Sequence, residues 1–196
     1  YMIYVGSSNF VSGLPDQITP VILRLIRKDG GDITSDLSVV MRVSHIENES
    51  GRLATPSSIG ASLAKTLKKN TKHHIMGWNR TDSVSKRALS DGVIDEIGQL
   101  EDLMPKADVT IVNFYPEAIA PFIKEHKALF KKNSIVTDSC GIKTKICREL
   151  EKEDFDFYFV GAHPMAGREV SGYDNSLDNL FDNASFICTP TGNTPV

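Results

Sequence analysis

Val109-Thr-Ile-Val112, preceded by Ala107-Asp108 and followed by Asn113-Phe-Tyr-Pro116, is the stretch from which the fold can be read. Four consecutive β-branched residues leaving a turn make a short, buried strand. Over residues 116–130, Ile119, Phe122, Ile123, Leu129 and Phe130 then recur at helical spacing, with Pro121 expected in the first turn. Residues 134–137 read as the next strand and 143–152 as the next helix. Working outward, Ile59, Leu63, Ala64 and Leu67 define a helix over 58–69 with Ser57 and Ser58 as caps. Residues 73–78 form a strand, 83–90 a helix closed by Gly92, and 157–161 and 185–189 two further strands. Strands alternating with helices through short connections imply an α/β fold in which residues 56–196 build a parallel, doubly wound sheet.

Residues 1–55 follow a different pattern. Tyr1 to Val5 reads as strand, 19–28 as amphipathic helix and 38–46 as strand, with Gly30-Gly31 as a turn. The boundary between the two units is expected near residue 55. In the 196 residues, 22 Lys and Arg stand against 25 Asp and Glu, a net charge of −3. No global basic field is present to hold a phosphate backbone, so nucleic acid is not the expected partner. Hydrophobic residues make up 40%, yet no apolar run reaches the roughly 20 residues that cross a bilayer, so a membrane is not expected either. Cys140, Cys147 and Cys188 lack metal-ligand spacing and are odd in number. Free thiols, no metal and a cytoplasmic location are the corresponding expectations.

In an open parallel sheet, ligands bind beyond the carboxyl ends of the strands, and four stretches occupy such places. The first, from Thr55 to Ser62, opens a helix at Ser58, Ile59 and Gly60, where free amides and the helix dipole favour a pyrophosphate. Only Gly60 matches the glycine fingerprint, and an ordinary capped helix explains the stretch as well. In the second, Asn79, Arg80 and Thr81 stand about twenty residues on, where an acidic side chain normally holds the ribose hydroxyls of NAD. Asn79 removes the charge that repels a 2′-phosphate and Arg80 can pair with one, although a solvated turn reads the same way. The third, from Ser134 to Lys143, places Asp138 as a cap and Lys143 either towards an anionic ligand or simply in solvent. In the fourth, His163 stands in Val160-Gly-Ala-His-Pro-Met-Ala-Gly167, where it is expected just after an apolar strand and stiffened by Pro164. It is suited to proton transfer or to satisfying core carbonyls. Phe114, Tyr115 and Pro116 line either a nicotinamide pocket or the wall of the sheet.

These motifs resemble the nucleotide-binding domain of prephenate dehydrogenases over residues 57–196. The resemblance is carried by Ser58-Ile-Gly-Ala-Ser-Leu-Ala64, Gly92-Val-Ile-Asp-Glu96, Thr137-Asp138 with Gly141-Ile-Lys143, Val160 to Gly167, and Asn179-Leu-Phe-Asp-Asn183 before Thr189-Pro190. It implies a Rossmann-like domain and an oxidoreductase of tyrosine biosynthesis, within aromatic amino acid biosynthesis. The reaction is oxidative decarboxylation of prephenate to 4-hydroxyphenylpyruvate with NAD or NADP, and arogenate is the sister substrate. His163 would be the catalytic base. Ser58, Ile59, Gly60, Asn79, Arg80, Thr81, Tyr115 and Pro116 would hold the cofactor, and Gly141 and Lys143 would face the substrate. Relatives often carry a serine at the position of Gly141, which itself offers no side-chain hydrogen bond. In the family a helical domain follows, completes the substrate pocket and forms a homodimer. Its absence after Val196 is expected, which would leave this chain an incomplete and inactive fragment.

Residues 1–55 more faintly resemble an ACT regulatory segment, a partial α+β unit that implies tyrosine as a feedback inhibitor. A rival reading takes residues 1–6 as the first Rossmann strand. From another functional class, the chain could be a non-catalytic nucleotide or amino-acid sensor.

Overall fold

The computed structural model describes residues 2–5, 23–26, 38–42, 56–167, 172–192 and 194. Strands β1 (Met2–Val5) and β2 (Leu23–Ile26) pair antiparallel in a sheet of their own. Among the described residues, seven strands form the main sheet: β3 (Ser38–Arg42), β4 (His74–Trp78), β5 (Glu96–Ile97), β6 (Val109–Val112), β7 (Ile135–Asp138), β8 (Tyr158–Pro164) and β9 (Phe186–Pro190). Their order is β5-β4-β3-β6-β7-β8-β9, parallel up to β8. The helices are α1 (Pro56–Asn70), α2 (Asp82–Ser90), α3 (Leu100–Leu103), α4 (Pro116–Glu125) and α5 (Thr144–Leu150).

Apolar alternation along the strands serves both faces of the sheet. Ile75, Val109 and Ile135 pack with Ala61, Ala64 and Ala88 of α1 and α2. Their neighbours Val112, Val136 and Phe159 pack with Ile119 and Ile123 of α4 and Ile146 and Leu150 of α5. A fully buried Phe or Leu is stabilised by about 1.5–3 kcal/mol relative to exposure, so the helices are held mainly by these faces rather than by propensity. The segment after β8 crosses to α1 and α2. There Tyr173 donates a hydrogen bond to Asp91 at 2.9 Å, Lys65 donates to the Ser176 carbonyl, and the Leu177 N–H donates to Ser62 Oγ.

Several expectations need correction. The strand expected over 38–46 within the N-terminal unit is β3, and it pairs in parallel with β4 and β6 at the centre of the main sheet. The sheet therefore extends across the expected boundary at residue 55. It supplies the first Rossmann strand from Ser38–Arg42, not from residues 1–6. Within the expected helix over 19–28, Leu23–Ile26 is a strand; Leu23 and Leu25 also satisfy a period of two, and β1 supplies backbone partners that a solitary short helix lacks. The remaining residues of that expectation lie outside the described residues. Pro116 occupies the first turn of α4, whereas Pro121 lies farther inside it. The helix ends at Glu125, and a 3₁₀ turn, Lys127–Leu129, replaces its expected last turn. β9 runs antiparallel to β8, with His163 opposite Ile187, because the chain returns from the face of α1 to the sheet edge. β5 and α3 escape periodicity because they have only two and four residues.

Candidate active site

Parallel pairing puts the carboxyl ends of β3 to β8 on one edge of the sheet. The strand order reverses between β3 and β6, and a crevice opens at such a point. α1 starts there. No acidic residue stands in its first turn, so its free amides and dipole can meet a phosphate without repulsion. Ser58, Ile59 and Gly60 are all buried at this end, and the Ser58 carbonyl accepts the Ser62 hydroxyl at 2.6 Å. α1 begins at Pro56, so Ser57 and Ser58 lie within the helix rather than ahead of it as the caps expected from the sequence.

Asn79 follows β4 directly and is buried, and its Oδ1 accepts the Thr81 N–H at 3.0 Å. This Asx turn places Thr81 at the N-cap of α2 and leaves Arg80 exposed. Past β6, Asn113 is wholly buried and accepts the Ser139 hydroxyl at 2.6 Å, which joins the ends of β6 and β7. Tyr115 caps α4 and Pro116 fills its first position, where a missing N–H costs nothing. Phe114 lies edge-on to Phe122 with ring centroids 4.6 Å apart.

His163 lies inside β8 rather than after it, because pairing with β9 continues through Pro164. It remains half-buried. Gly141 stands against the imidazole: a Cβ at residue 141 would lie 3.2 Å from His163 Nε2 and 3.3 Å from Cε1. The site residues expected at the end of β7 and in β8 therefore do meet.

Asp138, which the sequence offers only as a cap, is the organising group between them. Its buried carboxylate accepts the Ala162 N–H at 3.1 Å through Oδ1 and the Cys140 N–H at 3.0 Å through Oδ2. Oδ2 also takes the Lys143 ammonium in an ion pair. Lys143 thus reaches the end of β7 and pairs there with Asp138. The signal was local: an acidic residue at a strand end five residues before a lysine. The strand that it reaches is distant in sequence. Cys140, Cys147 and Cys188 are unbridged thiols, and burial pushes each of them up, away from the thiolate that acts as nucleophile. Among the described residues no acidic, His or Cys cluster could hold a metal ion, and no helix is long and apolar enough to cross a membrane.

A doubly wound sheet with this order, its crevice flanked by a helix N-terminus and by a histidine-bearing strand, defines a dinucleotide-binding α/β domain of the Rossmann class. The chain belongs to the prephenate dehydrogenase family: residues 63–196 match the family described as prephenate dehydrogenase, nucleotide-binding domain. The prephenate dehydrogenase of Bacillus subtilis is 30% identical over 142 residues, which cover 70% of this chain and 38% of that protein. Among solved structures, an arogenate dehydrogenase from Synechocystis has 29% identity and a TM-score of 0.65, covering 80% of this chain and 50% of its own. The prephenate dehydrogenase of Aquifex aeolicus, in complex with hydroxyphenyl propionate and NAD+, has 28% identity and a TM-score of 0.65, covering 81% and 52%. The chain spans about half the length of these solved relatives, and less of the Bacillus protein.

Proposed function

We propose that this chain is the nucleotide-binding part of an enzyme that oxidatively decarboxylates prephenate to 4-hydroxyphenylpyruvate in tyrosine biosynthesis, using NAD or NADP. The observation that carries this reading is the placing of His163 on the crevice edge with its Nε2 beside the bare backbone of Gly141. Among the described residues, the imidazole has no hydrogen-bond or ion-pair partner to compete with a ligand. The α1 N-terminus, free of acidic residues in its first turn, fits the pyrophosphate of such a cofactor. When bound, the nicotinamide ring supplies the hydride acceptor.

His163 Nε2 accepts a hydrogen bond from the ring hydroxyl of the substrate. It takes that proton as the carbon beneath gives up hydride, and loss of the ring carboxylate as carbon dioxide restores aromaticity. Asp138 holds the amides of Ala162, which precedes this histidine, and of Cys140, which precedes Gly141, and Lys143 pairs with that carboxylate, which keeps the base in place at no cost of reorganisation. The imidazole must be neutral to accept the proton, so its protonation abolishes turnover.

In the complete protein, His163→Asn lowers kcat roughly 10²- to 10⁴-fold in steady-state assays with prephenate and saturating cofactor. Unchanged turnover would overturn the assignment. Arogenate carries an amino group where prephenate carries a keto group, and the ratio of kcat/KM for the two decides between them. Asn79 and Arg80 favour NADP on this reading. A cytoplasmic homodimer under tyrosine feedback accompanies it on family grounds, to be checked by light scattering and by inhibition with tyrosine.

A further inference from the structure

Among the described residues, Leu89, Ile142, Met165, Leu177 and Ile187 are the large apolar side chains that stand exposed. Leu89 and Leu177 lie on α2 and on the segment that crosses α1, and exposed leucines in such places are ordinary. The other three belong to the His163 end of the crevice. Ile142, 62% exposed, follows Gly141, whose backbone faces the imidazole. Ile187, 49% exposed, is paired across the β8–β9 ladder with His163 itself. Directly opposed residues of an antiparallel pair project from the same face with Cβ atoms about 4.5–5.5 Å apart, so Ile187 stands beside the imidazole. The Met165 N–H donates to the Ser185 carbonyl at 2.8 Å, which carries the ladder past Pro164 and holds the exposed Met165 at the same edge. A strand position that faces water ordinarily takes a polar residue, and apolar side chains gathered around one half-buried histidine mark a surface that a ligand covers.

We propose that Ile142, Met165 and Ile187 form an apolar collar that seats the carbocyclic ring of the substrate against His163, with Ile187 contributing most. Resting on the reading of His163 as the base for the ring hydroxyl, the collar adds the groups that hold the ring while the proton leaves. The ring carbons between the hydroxyl-bearing carbon and the carboxylate-bearing carbon carry only hydrogen. The flanks of the ring therefore offer apolar surface and no group for a hydrogen bond, which matches what these three side chains present. The antiparallel return of β9 brings residue 187 level with His163, and a β-branched side chain there is stiff about χ1, so it fixes the tilt of the ring at small entropic cost. Because the flanks stay hydrocarbon throughout the reaction, the collar holds bound substrate and transition state alike.

The test uses the complete protein in two measurements: kcat and KM with prephenate at saturating cofactor, and calorimetric binding of 4-hydroxyphenylpyruvate, which keeps a ring and needs no turnover. Ile187→Ala raises both the KM for prephenate and the dissociation constant of 4-hydroxyphenylpyruvate roughly tenfold and leaves kcat within about twofold, as expected for lost uniform binding. Met165→Ala and Ile142→Ala raise both constants a few-fold, and Ile187→Leu restores most of the affinity. Leu177→Ala, which removes an exposed apolar side chain of the segment that crosses α1, leaves both unchanged. Ile187 is half exposed, so its truncation leaves the fold intact, and the thermal midpoint confirms this in the same samples. A lowered thermal midpoint or a dissociated oligomer, with KM and ligand affinity unmoved, would make the collar a contact with another part of the protein and overturns the inference. A fall in kcat at unchanged KM overturns it as well, and in both cases the assignment of His163 stands. Failure of the unaltered protein to oxidise prephenate and to bind 4-hydroxyphenylpyruvate overturns the collar together with that assignment.

Discussion

The two ends of the crevice use their cations in opposite ways. At the β7–β8 end, Lys143 is drawn into the protein and neutralised by Asp138, whose remaining acceptor capacity is filled by the amides of Cys140 and Ala162. At the β4–β5 end, Arg80 and Lys86 are exposed and hold no ion pair among the described residues, and Lys86 lines a pocket together with the buried Ser85. A closed network fixes geometry, as a catalytic histidine requires, whereas open charge leaves binding energy for a ligand. Whether a lysine near this edge of the sheet is tied down depends on whether a carboxylate is within reach.

The sharpest way to break this contrast is Asp138→Ala. It leaves the Lys143 side chain, only 14% exposed, without its counter-charge, and removal of one partner of such a buried pair costs about 3–5 kcal/mol. Urea unfolding measures the loss, and Lys143→Met in the same chain recovers part of it because the stranded charge is then gone. A loss well under 1 kcal/mol would mean that the closed network does not hold this end together.

Next in size is Gly161→Ala. A Cβ there would come within 3.0 Å of Cys147 Sγ and 3.0 Å of Lys143 Cδ, so the substitution overpacks the closed end at a cost of roughly 1–3 kcal/mol. The thermal midpoint reports it. At the open end, Asn79→Asp favours NAD over NADP by roughly tenfold, because a carboxylate accepts the ribose hydroxyls and repels the 2′-phosphate. Dissociation constants for the two cofactors give the ratio, and a rise in NADP preference contradicts the role given to that end.

The smallest effect lies away from both ends. His73 is buried with its Nδ1 unpartnered, and burial pushes its pKa below the ordinary 6.5. The unfolded chain takes up a proton at this position that the folded one resists. Stability from this group is therefore intact above about pH 6.5 and falls as the pH drops towards the lowered value. His73→Gln flattens the dependence of the melting temperature between about pH 7.5 and 5.5, with an effect of about 1 kcal/mol or less.

The sequence by itself determined the α/β class, because β-branched runs such as Val109–Val112 and helical stripes such as Ile119, Phe122 and Ile123 are local signals. It also marked His163, Asn79 and the start of α1, since residues that follow or end parallel strands share one edge whatever the details of packing. Tertiary structure alone decided that β3 comes from Ser38–Arg42, because strand partners are chosen by register and burial across long separations. It also decided that β9 is antiparallel and that Lys143 is spent on Asp138 while Lys86 is not. The physical reason is common to all three. Pairing partners and ion pairs are set by distances across the fold, and the chain states residue types without stating which will come within 4 Å of which.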